Sequence, residues 1–178
     1  MAGVVAAGLL AVRRMKLTSQ AYFLAGRCIA NAGVTLPHGI VMAMGDMFFH
    51  VAHGEALAAV YPAVLRFSWK SAIDRFAVPT GILDPSFPKR NISAAAEGGT
   101  DAVAAFLDKT DLRVELEALG IPSQEIEELA RASLVLPDCR NHPCVATEND
   151  VHEILENSRG KRVIEPARET ARGGIDEN

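Results

Sequence analysis

The chain has 178 residues, enough for one domain with its own core, and 49% of them are hydrophobic while only 6% are aromatic. That balance, with Ala and Leu dominating the long segments, favours packed helices over short strands, so the expected class is all-α, a multi-helix bundle. A net charge of -4 offers no basic face for nucleic acid, and Cys28, Cys139 and Cys144, an odd count without CxxC spacing, point away from disulfides and zinc knuckles and towards a reducing cytoplasm.

The first element is the apolar run Ala2 to Val12, followed by Arg13 and Arg14. It is shorter than the roughly 20 residues a membrane span needs, and its basic pair follows the apolar run, the reverse of a signal peptide. Residues 1–16 therefore read as a ragged start or buried helix, with no membrane association expected. Residues 17–158 form the predicted helical body and 159–178 a solvated polar tail. Within the body, Leu17, Ala21, Leu24, Ala25, Cys28 and Ile29 recur at helical spacing until Asn31 and Gly33 end the pattern.

Thr35 to Gly39 reads as a turn, and residues 40–49, apolar on every side, as a helix buried all round and interrupted by Gly45. Glu55 to Trp69 is helical, with a kink or restart at Pro62. A further helix continues to Phe76. Pro79 to Gly99, with three prolines and three glycines, reads as an irregular connection. Thr100 is placed to cap a helix with Val103, Phe106 and Leu107 inward, and Ser123 to cap another with Glu125 and Glu127 in its first turn. After a loop from Pro137 to Pro143, Thr147 to Asp150 has the spacing of a capping box, leading into a stripe of Val151, Ile154 and Leu155.

The chemistry-bearing residues are Pro37-His38-Gly39, Gly45, His50 and His53-Gly54. A histidine in an apolar segment has two readings, hydrogen-bonded core residue or metal ligand. For two imidazoles to share one ion, their nitrogens must approach within about 3 to 4 Å. A continuous helix would separate His38 and His53 by about 22 Å at its usual rise. The chain must therefore reverse between them, and Gly45-Asp46 and the segment just before His53 are the expected places. Met42, on the apolar helix, reads as core packing, with substrate contact as its functional alternative.

These blocks, together with Leu24-Ala25-Gly26, Asn31 to Leu36, Met44-Gly45, Glu55 to Ala58, Tyr61-Pro62, Leu119 to Pro122 and Asn141-His142-Pro143, resemble the signature region of iron-containing (group III) alcohol dehydrogenases. The likeness spans residues 17–158. It implies the helical C-terminal domain of that family, a dehydroquinate synthase-like fold, in which His38 and His53 are metal ligands, His50 a further candidate, and Met42 and Asn141 candidate active-site lining. The implied ion is Fe(II) or another divalent metal such as Zn(II), acting with NAD(P) on a small alcohol or aldehyde.

The departures shape the expectation as much as the matches. Family members complete the site with an Asp and a further His on an earlier helix, yet no residue before His38 is Asp, Glu or His. Met42 stands where many members carry another His, and Asn141-His142-Pro143-Cys144 replaces their Asn-Pro-Arg. Gly98-Gly99 lacks the spacing of a dinucleotide loop. The expectation is thus a metal-holding half without the N-terminal NAD(P)-binding domain, inactive alone and prone to self-association through its uncovered interface. The alternative is a non-catalytic helical remnant or interaction module.

Overall fold

A computed structural model describes residues 2–85 and 91–160, with side chains from Arg13 onward. The described residues form helices and turns only: α1 (Ala2–Ala32), α2 (Leu36–Met47), α3 (His53–Ser68), α4 (Ile73–Leu83), α5 (Ile92–Lys109), α6 (Ile126–Ser133) and α7 (Glu148–Ser158), with short 3-10 turns before α4, before α6 and after α6. The all-α expectation holds. No single described helix is long and apolar enough to cross a membrane.

Helix α1 runs unbroken through the position where the sequence suggested a boundary after residue 16. It stops at Gly33, whose φ of 72° is the left-handed conformation that closes a helix end, with the Gly33 amide donating to the Ile29 carbonyl at 2.8 Å. Pro37 then sits in the first turn of α2, where its missing N–H costs nothing, and α2 leaves α1 at 100°. Every α1 side chain from Arg13 to Ala32 is exposed, so the apolar stripe of residues 17–33 is helical but uncovered.

The body is built on α2, which packs against α3 and α6, while α7 lies on α3 and α6. Leu36, Ile40, Val41 and Met44 of α2 meet Val60 and Val64 of α3, Leu129 of α6, and Val151, Ile154 and Leu155 of α7 in one continuous core. The last three are the stripe the sequence predicts. The capping box at Thr147 is also present, with Asp150 accepting from the Thr147 amide at 2.8 Å. Helix α2 is not buried all round, however. Met42 is 48% exposed and belongs to an outer face with Gly45 and Asp46, so its reading as core packing is overturned, and Phe49, beyond the helix, is 94% exposed.

Two further expectations are corrected. Pro79 to Gly99 is not an irregular connection, because α4 continues through Pro79 to Leu83 and α5 begins at Ile92, capped by the Asn91 side chain. Gly99 is a packing residue: a Cβ there would lie 2.8 Å from Thr80 Oγ1 and 3.4 Å from the Phe76 carbonyl oxygen, so only glycine lets α5 approach α4 this closely. Thr100 is accordingly buried inside α5 and caps nothing, and Phe106 is exposed. Ser123 opens a 3-10 turn without a side-chain cap, and α3 passes through Pro62 as one helix.

Candidate metal centre

His38 lies in the first turn of α2 and His53 is the first residue of α3. The reversal between them falls after Gly45, which remains inside α2, and occupies residues 48–52, where the Phe48 amide bonds the Met44 carbonyl and the Val51 amide the Phe48 carbonyl. Of the two expected places only the segment before His53 turns the chain. The result brings the two imidazoles together, with ring centres 5.3 Å apart and planes inclined at 51°.

The neighbouring glycine explains how α2 reaches this position. A Cβ on Gly39 would collide with the Cys139 thiol at 2.2 Å and the Ser133 carbonyl oxygen at 2.7 Å. The start of α2 therefore lies directly on the end of α6 and the turn that follows it. This close approach fixes the height of His38 relative to the core, and it is possible only without a side chain at residue 39.

Electrostatics favour a neutral His38 ring. Burial, and then the proximity of His53, push the His38 pKa below its usual 6.5, which keeps the imidazole in the form that binds metals near neutral pH. Among the described residues, none hydrogen-bonds either ring, so their nitrogens are available. Two imidazoles bonded at about 2.1 Å to one tetrahedral ion hold their ring centres about 5 Å apart, which the observed pair matches. The donor set nevertheless stops at two, since no group of three His, Cys, Asp or Glu suited to a metal occurs among the described residues.

The other candidates fall elsewhere. His50 Nε2 lies 3.1 Å from the Leu119 carbonyl oxygen, and the ring edges against Phe48 and Phe49. It ties the α2–α3 turn to the bend at Gly120 and is not grouped with the pair. Asn141 donates to Asp138 at 3.2 Å beside Gly33 at the α1–α2 corner. Neither Met42 nor Asn141 lines the cleft of about 310 Å³ that opens beside His38. That cleft also contains two buried polar residues, Ser68 and His142, which meet through Ser68 Oγ and His142 Nε2. They are 74 positions apart, and no local pattern links them.

The described residues thus form an all-helical body that brings two imidazoles together from the starts of adjacent helices. Residues 10–159 match the C-terminal part of the Fe-containing alcohol dehydrogenase family, and the chain belongs to that family. It is 25% identical over 138 residues to the NAD-dependent methanol dehydrogenase of Bacillus methanolicus, covering 78% of this chain and 36% of that protein. It is 26% identical over 145 residues to long-chain-alcohol dehydrogenase 1 of Geobacillus thermodenitrificans, covering 81% and 36%. Its fold matches that of a 1,3-propanediol oxidoreductase with a TM-score of 0.71 at 21% identity, over 76% of this chain and 35% of the other. The chain thus spans about a third of the length of the relatives it matches.

Proposed function

We propose that this chain is the metal-holding helical part of an NAD(P)-linked alcohol dehydrogenase, with His38 and His53 as two neutral donors to Fe(II) or Zn(II). The observation that carries the reading is the 5.3 Å separation of two unpaired imidazoles. The bound ion would supply a Lewis acid that polarises the C–O group of a small alcohol or aldehyde. The protein's own contribution is to hold the two rings side by side, with the start of α2 seated on the core.

Two imidazoles alone make a weak site, and both sit at helix N-termini, whose partial positive charge disfavours a cation. An anionic donor is therefore required, in keeping with the taste of Fe(II) for oxygen ligands. We assign that donor to polypeptide that packs along the exposed apolar surface of α1, next to His38. Without it the chain binds metal weakly, does not turn over, and self-associates through α1.

The test is calorimetric titration of the purified chain with Zn(II), together with NAD(P)H assays on short alcohols and aldehydes. Binding should be weak, lost in His38→Ala and His53→Ala, and kept in His50→Ala. Turnover at ordinary enzyme rates by the chain alone, or affinity indifferent to His38→Ala and His53→Ala, would refute the reading. The lack of a third donor among the described residues favours a second reading, a non-catalytic remnant. It predicts that adding the N-terminal half of a related dehydrogenase restores neither metal affinity nor activity.

A further inference from the structure

A second cleft, of about 480 Å³, opens where α3, α5 and the end of α7 meet. Pro62 and Ala63 of α3 and Ala104 of α5 line it with small apolar side chains, and charged residues surround them. Most of those charges are matched: Arg66 pairs with Asp101 at 3.9 Å, Arg113 with Asp108 at 3.3 Å, and Glu156 with Arg159 at 3.1 Å. Glu115 is the exception, a cleft-lining carboxylate with no hydrogen-bond or ion-pair partner among the described residues.

That carboxylate lies where the chain leaves the helical body. The Leu116 and Glu117 amides donate to the Ser158 and Arg159 carbonyls at 3.0 and 3.3 Å, which holds this segment beside the end of α7. Gly160, the last described residue, also lines the cleft. Its φ of 125° favours glycine, and a Cβ there would lie 2.5 Å from Glu115 Oε2. The next residues are Lys161-Arg162-Val163-Ile164. Both cations fall within about 8 Å of Gly160 along even a fully extended chain, inside the range over which opposite charges attract at physiological salt. Residues 161–178, expected from composition to be a solvated tail, lie outside the described residues.

We propose that residues 161–164 dock in this cleft of their own chain, with Lys161 and Arg162 meeting Glu115 while Val163 and Ile164 cover Pro62, Ala63 and Ala104. The tether at Gly160 favours this occupant over any free partner, because a short link holds the segment at a high effective concentration beside the cleft. Its charge is complementary to the unmatched carboxylate, and its aliphatic pair suits the small apolar wall. Residues 165–178 carry four acids against two arginines, so they have no such attraction to Glu115 and remain in water. The proposal is independent of the metal reading, since none of these residues touches His38 or His53.

Nuclear magnetic resonance of the full chain, methyl-labelled and without metal, tests the docking. Nuclear Overhauser contacts should link the Val163 and Ile164 methyls with those of Ala63 and Ala104, and a mixture of differently labelled chains should show them within one chain only. Glu115→Lys, at an exposed position, should abolish the contacts, and adding Lys161→Glu and Arg162→Glu should restore them. Lys161→Glu with Arg162→Glu alone leaves the helical body untouched and should abolish them as well. Absence of the contacts from the parent chain, contacts only between different chains, or contacts that persist in either charge variant overturn the proposal. Failure of the reversed charges to restore them counts against it equally.

Discussion

Helices α1 and α2 are consecutive, both are rich in apolar residues, and neither contains an acid before Asp46, yet the structure treats them in opposite ways. Leu36, Ile40, Val41 and Met44 of α2 are buried in the core that α2 forms with α3 and α6, whereas Leu17, Tyr22, Phe23, Leu24 and Ile29 of α1 all stand exposed. Hydropathy alone therefore does not decide burial; the supply of a partner surface does. A contiguous apolar surface of this kind suits an interaction site, and its position next to His38 is why the proposed anionic donor and the proposed cover for α1 are assigned to the same polypeptide.

The contrast is sharpest in a pair of matched truncations. Leu36→Ala should cost about 2 to 5 kcal/mol, because it removes a fully enclosed side chain and leaves a cavity. Leu24→Ala, at 59% exposure, should change stability by less than about 0.5 kcal/mol. Urea denaturation of the two variants measures both, and a large loss for Leu24→Ala would mean that α1 is covered in solution. Gly39→Ala comes next, at about 1 to 3 kcal/mol, since the added carbon meets a backbone carbonyl that cannot swing aside. Its Zn(II) affinity should fall as well, because His38 rides on the same turn.

Acid sensitivity separates the cleft from the bare helix. Burial lowers the His142 pKa from 6.5, so the unfolded chain takes up a proton more readily than the folded one. Stability is then complete above about pH 6.5 and declines as the pH falls towards the lower folded value. His38, also lowered, acts in the same direction. Thermal midpoints at pH 7.5 and 5.5 should therefore differ less in His142→Gln than in the parent. An unchanged difference would mean that His142 is accessible and already protonates freely in the fold.

What could be read from the sequence follows the range of the interactions. The Thr147 capping box and the Val151, Ile154 and Leu155 stripe are local, with every determinant within one or two turns, and both are found. Gly99 was misread because its reason is 19 positions away at Thr80, where glycine signals a close crossing and not a loop. The His38 and His53 pairing was legible only as a condition, that the chain reverse between them, and the place of reversal was half right. The Ser68 and His142 contact had no signal at all, since neither periodicity nor motif spacing relates positions so far apart. Met42 was misplaced for the reason that separates α1 from α2: an apolar residue at helical spacing says that a surface can be covered, not that it is.

The smallest expected effect tests that last point most directly. Gly45 lies within α2 on the outer face that also carries Met42, and a Cβ there would find nothing within 4 Å. Its backbone is ordinary helix, so Gly45→Ala should stabilise the chain by about 0.5 kcal/mol through the lower entropy of the unfolded state. A measured loss in the chain alone would mean that another surface already presses on this face, for example in a self-associated form, and dilution should then abolish the loss. If the stabilisation appears in the chain alone but turns into a penalty once a related N-terminal half is added, the covering polypeptide extends from α1 across the outer face of α2. Gly45 would then owe its place to a close contact with that polypeptide, for the same steric reason that Gly39 owes its place to Ser133 and Cys139.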